Sequence, residues 1–195
     1  MTKPRRVLII DGHPDQESLC RSLGCAYERG ALESGAEVRR TVLGHLSFDP
    51  VLHHGFRKRT ELEPDLLKAQ QDILWADHLV FVFPIWWSDM PALLKGFLDR
   101  VLLPGFAFKY RDGGLLWDKL LKGRSARILY TQDAPAWYYR LFLGRPVVKI
   151  LRKGVLEFCG VGPVSVTHVG PVKGSSPKVR EAWLRKVQAL GRRID

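Results

Sequence analysis

The sequence predicts a three-layer α/β fold built on a doubly wound, five-stranded parallel sheet of order 2-1-3-4-5. Three observations lead there. Short apolar runs alternate with amphipathic segments along the 195 residues, which is the pattern of βα units. The run 79–83, Leu-Val-Phe-Val-Phe, is continuous and apolar, as a strand covered on both faces requires. The first apolar run passes through one loop straight into a helix, and with crossovers on both faces this gives a ligand crevice beside strands one and three. One domain spanning 1–195 is expected.

Residues 7–10 are strand one. A helix follows over 18–34, opened by Ser18, whose hydroxyl suits a first-turn N–H, and closed by Gly35. Residues 37–42 form a short second strand. Leu66, Ala69, Ile73 and Leu74 recur at helical spacing and define helix two over 65–75. Strand three, 79–83, is ended by Pro84, which has no N–H for a ladder. Pro91 suits a helix start, and Leu93, Leu94, Phe97, Leu98, Val101 and Leu102 form the core stripe of helix three. Strand four is 126–131, a helix over 147–158 ends at Gly160, strand five is 163–169, and the last helix is 177–190. The long irregular segments 44–62 and 104–124 are places for insertions that cover a site or build a dimer.

Composition narrows the function. The hydrophobic share, 46%, is that of a globular protein with a full core, and no uncharged run approaches the length of a membrane span. The run before Asp11 holds only four apolar residues, 7–10, too few for a signal-peptide core, so a soluble, cytoplasmic protein is expected. Cys20, Cys25 and Cys159 have neither the pairing nor the spacing of a disulfide framework or zinc knuckle. The net charge of +11 attracts anionic ligands. No basic stretch is interleaved with an RNA-binding aromatic motif, so a basic face that attracts anionic cofactors is the better reading than a nucleic-acid role. His53 and His54 are adjacent and complete no metal site, so they are read as surface residues. His78 and His168 are expected to flank strands. No Ser-His-Asp order or nucleophile elbow offers a hydrolytic carrier.

Three loops carry the candidate chemistry. The first, 11–20, runs from a buried strand into a helix N-terminus, where unpaired N–H groups and the helix dipole favour phosphate. His13 and Ser18 could donate beside the N–H of Leu19 and Cys20; Ser18 also serves as a plain N-cap. The loop is neither a G-x-G-x-x-G nor a G-K-[ST] sequence, so the ordinary dinucleotide and ATP fingerprints are absent. The second loop follows strand three as Pro84-Ile85-Trp86-Trp87-Ser88. Its two tryptophans are too large and too close for one packing face to bury both easily, so one of them is expected to face a planar ligand; the alternative is that both are core or dimer-interface residues. The third loop, 131–139, follows strand four.

Gly12-His13-Pro14 with Ser18, Phe48-Asp49-Pro50, Pro84-Ile85-Trp86-Trp87, and Pro91-Ala92-Leu93-Leu94-Lys95-Gly96-Phe97 with Asp99-Arg100 together resemble the flavodoxin-like NAD(P)H:quinone oxidoreductases. That family includes DT-diaphorase and small bacterial flavoproteins that attend potassium-efflux systems. Phe158-Cys159-Gly160 extends the similarity nearly to the end of the chain. The resemblance implies a flavodoxin-like fold, a homodimer, bound FAD or FMN, and hydride taken from NADH or NADPH. It places His13, Ser18, Leu19 and Cys20 at the flavin phosphate and Pro84, Ile85, Trp86, Trp87 and Ser88 along the isoalloxazine ring. Phe106, Phe108 and Tyr110 would wall the pocket of a partner subunit.

The third loop departs from the family. Thr131 is kept, but Gln132, Asp133 and Ala134 stand where clearly active members have Thr-Gly-Gly, whose glycines admit close backbone approach to the flavin pyrimidine edge. An ionised Asp133 there disfavours the charge of a reduced flavin unless it accepts the flavin N3–H or turns away. Tyr139 falls at the family's proton-relaying tyrosine, with Tyr138 one residue away. Arg145 falls at its partner histidine and cannot relay a proton, though it or Arg140 could meet an NADPH phosphate. The expected activity is two-electron reduction of quinones or similar aromatic acceptors by a ping-pong route. The alternatives are a regulatory module docking on a membrane transporter or other anionic partner, and a one-electron carrier.

Overall fold

The structure is a computed structural model and describes residues 3–111 and 115–194. In chain order it contains β1 (Arg6–Asp11), α1 (Leu19–Glu33), β2 (Glu37–Val42), α2 (Pro64–Trp75), β3 (His78–Pro84), α3 (Ala92–Val101), β4 (Phe108–Tyr110), β5 (Trp117–Lys119), β6 (Ser125–Thr131), α4 (Ala136–Leu141), α5 (Pro146–Lys149), β7 (Val164–Val169) and α6 (Pro177–Arg193). The main sheet has the order β2-β1-β3-β6-β7, all parallel. With the separate β4–β5 hairpin set aside, that is the expected 2-1-3-4-5 order.

Side-chain alternation divides the core in two. Val7 and Ile9 of β1 join Val80 and Val82 of β3 beneath α1 and α6, while Leu8 and Ile10 join Phe81 and Phe83 on the opposite face, under α2 and α3. Every residue of β3 is buried, which accounts for its unbroken apolar run. The α1–α6 contact is close enough to need glycine. A Cβ on Gly30 would lie 1.9 Å from the Gln188 carbonyl oxygen, and one on Gly191 2.2 Å from that of Tyr27.

Several elements differ from the sequence reading. The helix expected at 147–158 begins as α5 and continues as a π-helix over Ile150–Glu157, a change that a 3.6-residue period cannot register over eight residues. The irregular stretch 104–124 holds the β4–β5 hairpin; its residues 112–114 lie outside the described residues. Pro84 does not follow the strand but is its last member, paired in register with Thr131. The last helix extends to Arg193, through Gly191, because that glycine sits in the α1 contact rather than at a helix stop.

The segment leading to α2 is pinned by one arginine. Arg100, on α3 and 1% exposed, donates to Glu63 Oε2 at 2.8 Å, to the Glu61 carbonyl at 3.0 Å and to the Asp49 carbonyl. Pro50 lies against Gly96, where a Cβ would come within 2.4 Å of the proline ring. The matched Phe48-Asp49-Pro50 and Asp99-Arg100 sequences are thus two sides of one structural joint. His53, on the same segment, is exposed and bonded to Asp49 Oδ2 at 2.7 Å.

Candidate functional site

Three loops leave the carboxyl edge of the sheet beside one another because β1, β3 and β6 are adjacent and parallel. In the first, buried Asp11 ends β1 and accepts from the His13 N–H at 3.3 Å, while Gly12 N–H donates to the Val82 carbonyl at 2.8 Å. Burial pushes the Asp11 carboxyl up, against the opposing pull of the His13 N–H, Arg40 at 3.4 Å and Arg21 at 3.9 Å. Further along, His13 Nδ1 accepts from Asp15 N–H and Asp15 Oδ1 from Glu17 N–H. Gly44 admits the loop from below; a Cβ there would meet the Pro14 carbonyl at 2.4 Å. These contacts deliver the chain to Ser18, the N-cap of α1, whose Oγ accepts from Arg21 N–H at 3.2 Å. The N–H groups of Leu19 and Cys20, the first two helical residues, have no intrahelical acceptor.

In the second loop Ile85 N–H donates to the Thr131 carbonyl at 2.8 Å. Trp86 and Asp89 exchange two backbone hydrogen bonds of 2.9 Å around Trp87 and Ser88, both left-handed with φ of 50° and 65°. Positive φ at both central residues is the type I′ pattern, normally filled by Asn and Gly, and a bulky residue held there carries strain. The turn sets half-exposed Trp86 along the cleft, edge-on to His13 with centroids 5.4 Å apart, and leaves Trp87 wholly exposed at 101%.

The third loop completes the enclosure. Thr131 Oγ1 lies 3.3 Å from Cys20 Sγ, and burial pushes that thiol up to about 12. Gln132 is 5% exposed; its Nε2 donates to the Ala134 carbonyl at 2.9 Å, while Oε1 is buried with no hydrogen-bond partner among the described residues. Asp133 Oδ1 accepts from Lys173 N–H at 2.7 Å. Tyr139 is 1% exposed, and its Oη donates to the Ser88 carbonyl at 3.4 Å. Its phenol is pushed well above the usual tyrosine range, chiefly by burial.

A cleft of about 290 Å³ lies between the loops. Its wall brings together His13, Ser18, Leu19, Cys20, Pro84, Ile85, Trp86, Thr131, Gln132 and Asp133. Trp87, Ser88, Ala134, Tyr138 and Tyr139 are not on this wall: the first two form the exposed turn, Tyr138 is half-exposed on α4, and Tyr139 packs beneath the turn. Asp15 and Val172 line the cleft without having been singled out. Asp15 belongs to the first loop, where position was the available signal; Val172 follows β7, and nothing in its local sequence marks it. Phe108 is buried beside Phe158, and Tyr110 is exposed near it, both away from this cleft. His78 opens β3 and is buried, within 2.8 Å of Ser125 Oγ, whereas His168 lies inside β7 rather than beside it. No cluster of residues able to hold a metal ion occurs among the described residues.

The cleft can do specific things chemically. It presents helix N–H donors and a hydroxyl at one end, an apolar and aromatic wall along the middle, and the Gln132–Asp133 segment at the other. Such a lining suits a phosphate joined to a planar heterocycle. Cys20 remains a neutral thiol and takes no nucleophilic part. Iodoacetamide at pH 8 is therefore expected to leave Cys20 and Cys159 unmodified in the native protein, since burial also raises Cys159 to about 11. Adducts confined to half-exposed Cys25, read by peptide mass spectrometry, are the expected result.

A family model described as flavodoxin-like fold matches residues 5–191. An uncharacterised NAD(P)H oxidoreductase of Haemophilus influenzae is 31% identical over 91% of this chain and 89% of its own. The ribosyldihydronicotinamide dehydrogenase [quinone] of Rattus norvegicus is 37% identical, over 94% and 87% respectively. A crystal structure from Streptococcus mutans UA159 shares 32% identity and superposes with a TM-score of 0.84, covering 96% of this chain and 99% of that one. An NAD(P)H:quinone oxidoreductase from Methanothermobacter marburgensis, 24% identical over 99% and 97%, has the same fold at a TM-score of 0.84. Sheet order, the three-loop cleft and these matches agree, and the chain belongs to the flavodoxin-like NAD(P)H:quinone oxidoreductase family.

Proposed function

We propose that this protein is a flavin-dependent, cytoplasmic NAD(P)H oxidoreductase that reduces quinones or similar aromatic acceptors by two electrons, acting as a homodimer. The observation that carries the reading is a cleft in which the N-terminus of α1, the Pro84–Trp86 wall and the Gln132–Asp133 segment meet. A flavin bound there would supply the redox chemistry, two-electron exchange between NAD(P)H and the acceptor.

The chain's own residues bind and orient. Leu19 and Cys20 N–H, Ser18 Oγ and His13 hold the phosphate; Ile85 and Trp86 cover the ring and exclude water. Gln132 borders the ring, and a turn of its side chain would bring Oε1, buried without a hydrogen-bond partner among the described residues, to the ring N–H. Asp133 has one oxygen engaged by Lys173 N–H, which draws its charge toward the loop beyond β7. Tyr139 is a positioning residue that holds the strained Trp87–Ser88 turn through the Ser88 carbonyl, and Tyr138 is the phenol of the pair open to an acceptor. With Ile85 and Trp86 covering one face of the ring, the other would serve nicotinamide and acceptor in turn, and the kinetics would be ping-pong. Steady-state rates with NADPH or NADH and menadione are expected to give parallel double-reciprocal lines. Flavin binding without turnover would overturn the enzyme reading in favour of a docking module.

A further inference from the structure

A second feature lies outside the cleft. Helix α4 and the turn after it leave Trp137, Leu141, Phe142 and Leu143 exposed in sequence, with Phe142 at 70%. The rings are already gathered: Phe142 stacks on Tyr138 at 5.4 Å and meets the edge of Trp137 at 6.0 Å. A contiguous apolar patch of this kind marks an interaction surface. Around it, residues 134–156 carry Arg140, Arg145, Lys149, Arg152 and Lys153, and no Asp or Glu. All five are exposed, and among the described residues only Arg152 has an acid partner, Glu157 at 2.8 Å.

We propose that this surface docks on an anionic lipid bilayer, with Trp137, Leu141 and Phe142 entering the headgroup boundary and the surrounding cations meeting lipid phosphates. Tryptophan and phenylalanine beside arginine and lysine is the composition of a peripheral membrane anchor. Charge chooses this occupant over a second copy, because pairing the patch with itself would oppose five cations with five. Tyr139 ties α4 to the Trp87 turn, so docking would present the mouth of the cleft to the bilayer, where apolar aromatic acceptors dissolve. No helix among the described residues is long and apolar enough to cross a membrane, so attachment is at the surface.

The test is co-sedimentation of the full chain with vesicles of phosphatidylcholine alone and of phosphatidylcholine mixed with phosphatidylglycerol. Binding to the anionic vesicles alone, weakened by added salt, is expected. Trp137→Ser with Phe142→Ser should weaken it about a hundred-fold through lost apolar burial. Lys149→Gln with Lys153→Gln should weaken it about thirty-fold at low salt. All four side chains are exposed, and an unchanged melting temperature and flavin spectrum would verify folding. No binding to anionic vesicles, or binding that both pairs of substitutions leave intact, overturns the proposal. So does a change of oligomeric state in Trp137→Ser with Phe142→Ser at unchanged vesicle affinity, which would make the patch a self-interface.

Discussion

Ser18→Asp is expected to melt at or above the temperature of the parent protein and to bind FMN or FAD about a hundred-fold more weakly. The two effects separate because Ser18 has two tasks. As N-cap it accepts from Arg21 N–H, and aspartate does that equally well while its charge favours the positive end of the α1 dipole. As phosphate ligand it donates a proton, which aspartate lacks at neutral pH, and the carboxylate adds like-charge repulsion. A hydrogen bond to a charged group contributes about 1.5–3 kcal/mol, and losing it together with the repulsion gives the hundred-fold figure. Flavin fluorescence titration and a thermal melt measure both quantities on one sample. Undiminished affinity would show that the phosphate does not sit at this helix end.

Arg100→Met should be the most destabilising of the substitutions considered, by about 3 kcal/mol, because it leaves Glu63 and the Asp49 and Glu61 carbonyls without the donor that organises them. Methionine keeps the apolar volume, so the loss reports the polar joint rather than a cavity. Glu63 keeps partial access to water, which holds the loss near the lower end for a broken buried pair. For a chain of this size the melting temperature should fall by about 6–12 °C. Flavin affinity below the transition should be unchanged, since none of these groups lines the cleft. A variant that melts like the parent would remove Arg100 from the account of the 49–63 segment.

The parts of the fold that were legible in the sequence are those where one physical demand dominates. The run in β3 reads as a strand because both of its faces are buried, and Ser18 reads as a helix start because an N-cap needs a short side-chain acceptor. The parallel order then fixes which loops can meet; the helix N-terminus marked His13, Ser18, Leu19 and Cys20, while Pro84, Ile85 and the third-loop residues were named through the family resemblance. What was illegible depends on backbone geometry or on tertiary proximity. The two tryptophans are indistinguishable by type; a left-handed turn at Trp87 and Ser88, which residue preferences argue against, sends Trp86 to the cleft and Trp87 to solvent. Val172 enters only because Gly170 lets the chain beyond β7 pass close to the Gln132 carbonyl, 2.2 Å from where a Cβ would stand. Tyr139 and Tyr138 were both candidates for the family's tyrosine; the burial of Tyr139 is set by α4, a six-residue helix with no periodicity to announce it.

The most direct test of the flavin site is the visible spectrum of the purified chain after incubation with FMN or FAD and removal of the excess. The absorption of a bound oxidised flavin, bleached anaerobically by NADPH or NADH and restored by menadione, is the predicted result. A protein that stays colourless with both flavins would contradict the account, showing that Gln132 and Asp133 close the site that the α1 terminus and the Pro84–Trp86 wall frame.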